Sequence, residues 1–103
     1  MLRRFAGYDF EGPFASADEI GHRPGVIAVF GLDDEQVAHA EYSQDLASLI
    51  ERTNLTSVWA ERTGGRFVFW VYYTDKPDSE PGRLVQQMLR FQYHLTYRSS
   101  LPA

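Results

Sequence analysis

VAHAEYSQDLASLIER, residues 37–52, carries two periodicities in sequence. Val37 to Tyr42 alternates weakly, as a strand does. From Ser43 onward the spacing changes. Leu46, Leu49, Ile50 and Thr53 fall at i, i+3, i+4 and i+7, which puts them on one face of a helix from about Gln44 to Asn54. Ser43 is placed to cap that helix, and Asp45 sits in its first turn, where a negative charge suits the helix dipole. The stretch is therefore a strand handing over to an amphipathic helix, with a polar joint at Ala40-Glu41-Tyr42-Ser43.

Working back, Val26-Ile27-Ala28-Val29-Phe30 is a continuous apolar run after Pro24-Gly25, and it reads as a strand covered on both faces. Gly31 to Gln36 is rich in turn formers and joins it to Val37 as a hairpin. Residues 1–25, rich in Gly, Pro and aromatics, are expected to wrap the surface, with one short helical turn at Ser16-Ala17-Asp18-Glu19-Ile20 capped by Ser16.

Working forward, Leu55 to Glu61, centred on Trp59, is either a short helix or an extended link. Arg66 to Thr74 is a strand with apolar or aromatic groups on both faces. Pro81 suits the first turn of a last helix, on which Leu84, Val85, Met88, Leu89, Phe91 and Leu95 make a wide apolar face. The expected fold is α+β: a small three-stranded antiparallel sheet flanked by helices, in the order β-β-α-β-α.

At 103 residues the chain has the length of one domain, with one modest core. A net charge of −4 argues against a free-standing nucleic-acid binder, although ten Lys and Arg residues leave room for a local basic cleft. The absence of cysteine excludes disulfides, thiolate metal sites and cysteine nucleophiles. No run approaches the roughly 18 apolar residues of a membrane helix. A cytoplasmic protein without a membrane partner is expected.

The order of these elements, with the residues at their joints, resembles the GIY-YIG nuclease domain. The first strand opens with Gly25-Val26-Ile27 where the family has its GIY motif. The second ends in His39-Ala40-Glu41 at the YIG position, followed by Tyr42-Ser43-Gln44-Asp45-Leu46. Small stand-alone members carry a tryptophan after the first helix, as Trp59 does here. Their last helix is of R-x-x-E-x-x-L-R type with a tyrosine after it, and Arg83, Gln86, Leu89-Arg90 and Tyr93 fit that frame. The resemblance spans about residues 12–98 of a single domain, with 1–11 as a lead-in.

What the resemblance implies about chemistry is negative. Phosphodiester cleavage needs an activated water, positive charge for the developing phosphorane and a cation held by oxygen ligands. The catalytic positions of the family fall on Ile27, His39, Leu49 and Gln86. The motif glycine falls on Glu41, whose charge repels a phosphate. Isoleucine has no proton to move, and a neutral amide anchors a hard dication poorly. The expectation is a degenerate member, not an enzyme, with no metal and no cofactor. It would contact a protein partner or a small polar ligand through the former cleft, lined by Glu41, Tyr42, Trp59, Arg62, Arg83, Gln86 and Arg90. A symmetric homodimer through an aromatic surface stays open. The alternatives are a hydrolase with a moved centre using His39, Glu41 and Arg52 or Arg83, and an unrelated small α+β structural protein.

Several residues have a blander reading beside a sharper one. His39 is expected to meet a neighbouring strand's backbone, with no acid partner close in sequence, and His22 and His94 read as isolated surface residues. Asp33-Asp34-Glu35 lacks the glycine and terminal glutamate of a calcium loop and reads as a solvated turn. Trp70, Tyr72 and Tyr73 read as core rather than as a base-stacking platform, while Trp59, lying between elements, is the one kept as a surface candidate.

Overall fold

The computed structural model describes residues 1–52 and 56–95. Among these residues nine elements form: β1 (Leu2–Phe5), β2 (Tyr8–Phe14), α1 (Ala17–Ile20), β3 (Gly25–Gly31), β4 (Val37–Ser43), α2 (Leu46–Arg52), α3 (Thr56–Thr63), β5 (Phe67–Tyr73) and α4 (Gly82–Gln92). The fold is α+β, as the alternation of patterns requires. The strands make one antiparallel sheet in the order β1-β2-β5-β3-β4.

Five strands replace the expected three, because residues 2–14 form a hairpin instead of wrapping the surface. Its turn is Ala6-Gly7, both at positive φ (54° and 87°), the geometry that lets two strands meet through two residues. Phe5 and Phe10 then face inward at 2% and 0% exposure, their rings edge-on at 5.4 Å. The aromatics that made the segment look like a wrap are its core side. Their alternation with Arg4 and Asp9, an ion pair across the hairpin at 3.1 Å, was the available signal.

The central strand β3 is buried along its whole length, between β5 and β4. The two strands expected as a hairpin are neighbours, with Gly25 paired to Ser43 and Val26 to Tyr42 and a register shift between Val29 and Phe30. Each sheet face carries its own core. On one side Val26, Ala28, Phe30, Ala40 and Trp70 meet Val85 and Leu89 of α4. On the other Ile27, Val29, Phe69, Val71 and Tyr73 meet Ile20, Leu46 and Trp59 from α1, α2 and α3, with Leu49 and Ile50 packed against them.

Helix α2 begins at Leu46, two residues later than Ser43 as its cap would place it. Ser43 does not cap it. Its hydroxyl accepts from the Asp45 N–H and donates to the Asp45 carbonyl, both at 3.1 Å, closing a tight turn before the helix. The cap is Asp45, whose Oδ1 accepts from the Ser48 N–H at 3.1 Å. Thr53, Asn54 and Leu55 lie outside the described residues.

Helix α4 is narrower inward than its apolar pattern. Val85 and Leu89 are fully buried, whereas Leu84, Met88 and Phe91 are 41%, 42% and 80% exposed. One edge of the apolar arc overhangs the sheet. Among the described residues no helix is long and apolar enough to cross a membrane.

Candidate functional site

Strand β4 lies at the edge of the sheet. In an antiparallel edge strand, alternate residues turn both backbone groups away from the neighbour. On β4 these are Ala38, Ala40 and Tyr42, and side chains from two helices reach them. Arg62 of α3 donates through Nη1 to the Ala38 carbonyl at 3.2 Å. Arg90 of α4 donates through Nε and Nη2 to the Ala40 carbonyl at 3.2 and 2.9 Å. The Tyr42 N–H donates to Gln86 Oε1 at 2.6 Å. A backbone group left unpaired in such a place costs about 1–3 kcal/mol, and an open edge invites another strand. The side chains do both jobs, satisfying the groups and blocking the edge.

This rearranges the cleft expected from the sequence. Arg62, Gln86 and Arg90 do come near one another along β4, but their polar atoms hold the protein's own strand. Glu41 and Trp59 lie on the α2–α3 side of the sheet; Tyr42 and the α4 residues Arg83, Gln86 and Arg90 lie on the other. Trp59 is no surface group: it is 0% exposed, with Phe67 and Phe69 edge-on at 6.1 and 5.8 Å. Of the four positions that the resemblance equates with catalytic ones, Ile27, His39 and Leu49 share the α2–α3 side, and Gln86 is across the sheet. Ile27 is completely buried beneath that layer.

His39 corrects a second expectation. It is 7% exposed and does have an acid partner: Nε2 lies 2.9 Å from Glu41 Oε1. Residues i and i+2 of a strand share a face, so the partner was readable from the sequence. The imidazole also packs 5.6 Å from the Trp59 ring. The pair is built into the rim of the core. Arg52, one of the two arginines that a moved catalytic centre could use, donates to the Ser48 carbonyl of its own helix at 3.3 Å.

An open cavity of about 370 Å³ lies at the start of α4, lined by Tyr42, Thr74, Ser79, Glu80, Pro81, Gly82 and Arg83. Two residues of the expected cleft, Tyr42 and Arg83, are here, with the Arg83 guanidinium 5.8 Å from the Tyr42 ring. Gly82 is required at this place because the Tyr42 ring lies against its Cα, leaving no room for a Cβ. The loop is fixed from within. Ser79 Oγ bonds the carbonyls of Thr74 and Lys76 at 2.9 and 2.8 Å, and the Glu80 N–H donates to the Tyr72 hydroxyl at 2.8 Å. Sequence reading missed Thr74, Ser79 and Glu80, because it took Thr74 as the end of a strand and the loop after it as a connection.

His22 is exposed, as expected, but not isolated. Its Nδ1 lies 2.8 Å from Asp45 Oδ1, and Ser48 Oγ donates to Asp45 Oδ2 at 2.9 Å. The Asp45 hydrogen bond and charge raise the His22 pKa above its ordinary 6.5. The Ser48 N–H, then His22, hold the Asp45 pKa below 3.8. The trio is not a catalytic relay. Ser48 Oγ and the carboxylate approach the same ring nitrogen, 3.4 Å and 2.8 Å away, whereas a relay needs them on opposite nitrogens. The 23-residue separation of His22 and Asp45 hid the contact from sequence reading.

Asp33, Asp34 and Glu35 are exposed, and Asp33 pairs with Arg66 at 3.1 Å, as a solvated turn would. Among the described residues no three His, Asp or Glu side chains gather as metal ligands do. No family model matches the chain, and neither a curated protein nor a solved structure does.

Proposed function

We propose that the protein is a non-catalytic binding module, similar in design to a GIY-YIG domain whose nuclease centre has decayed, and that it takes a small polar ligand at the start of α4. The observation that carries this reading is the allocation of polar groups. Arg62, Gln86 and Arg90, which a working cleft would turn toward substrate, are engaged by Ala38, Tyr42 and Ala40 of the edge strand. Of the other polar residues of the expected cleft, Glu41 is held by His39 on the opposite side of the sheet, and Tyr42 and Arg83 line the cavity. A transition state for phosphodiester cleavage needs preorganised positive charge and an activated water, and neither is supplied by Ile27, Leu49 and Gln86.

Two assays test the reading together. Purified protein incubated with magnesium or manganese and with DNA or RNA is expected to leave the nucleic acid intact. Cleavage that disappears in Gln86→Ala would overturn it. In parallel, amide resonances of Tyr42, Gly82 and Arg83 are expected to shift when a polar small-molecule library is added, and to stay fixed with oligonucleotides.

A second reading has its own observation. Leu84, Met88 and Phe91 follow one another at i, i+4 and i+7 and are all exposed on one flank of α4. Contiguous exposed apolar side chains mark interaction surfaces, and this spacing is that of a helix read by a protein groove. Under this reading α4 docks a protein partner. Loss of that partner in Phe91→Ser, with the fold unchanged, is the expected signature.

A further inference from the structure

The cavity at the start of α4 is lined by one cation and one anion that no other side chain among the described residues neutralises. Arg83 and Glu80 are both exposed and both line it. Four charge pairs form elsewhere on the surface, Arg4 with Asp9, Arg23 with Asp75, Arg66 with Asp33 and Lys76 with Glu11. Other exposed charges outside any ion pair among the described residues, such as Glu61 and Asp78, do not line the cavity. Neither Arg83 nor Glu80 has an ion-pair partner among the described residues. The same cavity is lined by the Tyr42 ring, 5.8 Å from the Arg83 guanidinium, and by Thr74, and among the described residues neither the Tyr42 nor the Thr74 hydroxyl is in a side-chain hydrogen bond. The Ser79 hydroxyl is already spent on two carbonyls.

This distribution selects a ligand class. A simple anion would gain Arg83 and meet repulsion from Glu80; a simple cation would meet the reverse. A neutral ligand would desolvate both charges and pair with neither. A small molecule with a positive and a negative end satisfies both. The volume, about 370 Å³, lies at the low end of the roughly 300–1,000 Å³ typical of ligand pockets. The guanidinium fork suits a carboxylate, which it can hold with two parallel hydrogen bonds. An ammonium held by Glu80 can also lie near the face of a tyrosine ring. At the helix end the Leu84 and Val85 N–H groups are engaged by the Pro81 carbonyl at 3.0 and 3.2 Å, so the full positive charge of the cavity is the Arg83 guanidinium. Arg83 is the anion's partner.

Resting on the reading that this cavity takes a polar ligand, we infer that the ligand is a zwitterion of the free amino acid class, its carboxylate on Arg83 and its ammonium on Glu80 beside the Tyr42 ring.

The experiment uses the full chain, labelled with 15N, titrated with each of the common free amino acids, their N-acetyl derivatives and their C-terminal amides. The amides of Tyr42, Gly82 and Arg83 are followed. At least one free amino acid is expected to shift these signals saturably, and its N-acetyl and amide forms to bind at least tenfold more weakly. Arg83→Gln is expected to erase the preference over the amide. Glu80→Gln is expected to erase the preference over the N-acetyl form. Both residues are exposed, so both variants should keep the parent's thermal midpoint, which is measured alongside. Equal binding of free and blocked forms, or binding of blocked forms alone, overturns the zwitterion assignment and leaves the cavity reading standing. No response of those amides to any compound overturns both.

Discussion

The Arg90 guanidinium grips the Ala40 carbonyl as a fork, with Nε at 3.2 Å and Nη2 at 2.9 Å. The carbonyl belongs to the exposed side of an edge strand, and the arginine comes from a helix fifty residues later in the chain. The contact therefore ties the last helix to the sheet at the point where another chain could add a strand. Arg62 and Gln86 do the same one residue pair to either side. A sheet edge is managed here by side chains instead of by a further strand.

Removing the fork should cost stability and open the edge. Arg90→Met keeps most of the aliphatic stem and loses the donors. It is expected to destabilise the fold by about 1.5–3 kcal/mol, the range for a charge-assisted hydrogen bond whose partner is left partly buried. Urea denaturation measures the loss, and light scattering against concentration should show association that the parent lacks. Arg90→Lys should recover only part, because an ammonium cannot reproduce the fork.

Gln86 separates a structural role from a catalytic one. Its Oε1 accepts from the Tyr42 N–H at 2.6 Å. Gln86→Glu keeps an acceptor at that place and is expected to stay within about 1 kcal/mol of the parent, whereas Gln86→Leu, which leaves the N–H unpaired, should lose about 1–2 kcal/mol. A metal-binding role would give a different ranking: Gln86→Glu would bind manganese measurably by calorimetry. No heat is expected from either protein.

The joint at residues 37–52 shows what was legible in the sequence and what was not. Period-two alternation in β4 and the leucine spacing of α2 are local properties, so strand, helix and hand-over could all be read from them. That β3 and β4 pair followed from the short connection between them, whereas the register of Gly25 with Ser43 rests on a shift between Val29 and Phe30 that no local pattern announces. What escaped depends on distance in the chain. The β1–β2 hairpin enters the sheet beside β5, nearly sixty residues later, and nothing local to residues 2–14 names that neighbour. Arg62, Gln86 and Arg90 read as solvated or site-lining because the sequence does not say that β4 lies at an edge. Trp59 was hard for a different reason. A helix-borne indole between elements suits a core and a platform equally, and only the layer above the sheet decides.

Trp59 provides the third prediction. It is completely buried, and its Nε1 has no hydrogen-bond partner among the described residues. Trp59→Ala should cost about 3–5 kcal/mol, the usual range for an aromatic removed from a core. Trp59→Phe should cost far less, since it keeps an aromatic ring and removes a buried donor that has no acceptor. Tryptophan emission in the parent should be blue-shifted, resistant to acrylamide and unchanged by single-stranded oligonucleotides. Quenching by oligonucleotide would restore the stacking platform that burial argues against.

Phe91 tests whether the overhang on α4 is surface or hidden core. At 80% exposure its ring contributes little to the fold. Phe91→Ser is expected to change stability by no more than about 0.5 kcal/mol, as for surface substitutions generally. Leu89→Ala, one helical turn from Val85 and fully buried, should cost about 2–5 kcal/mol. Equal losses in the two variants would mean that the arc is covered in solution, and sedimentation at several concentrations would then identify a second copy as the cover.

The His22–Asp45 pair sets a pH window. His22 has a folded pKa raised above its ordinary 6.5, chiefly by its hydrogen bond to Asp45. Its contribution is therefore complete below about 6.5 and is lost as the pH rises through the raised value. Asp45 has a folded pKa held below its ordinary 3.8, first by the Ser48 N–H and then by His22. Its contribution is complete above 3.8 and is lost as the pH falls through the lowered value. Both favourable forms coexist between those limits, so the pair supports the fold most strongly between about pH 4 and 6.5. Because both side chains are exposed, the effect should shrink in 0.5 M salt. The thermal midpoint of the parent is expected to fall, relative to that of His22→Ala, on going from pH 5.5 to pH 8. Asp45→Asn should remove the same slope while keeping an acceptor for the Ser48 N–H at the start of α2. Parallel curves for the parent and His22→Ala across that interval would show that the contact does not persist in solution.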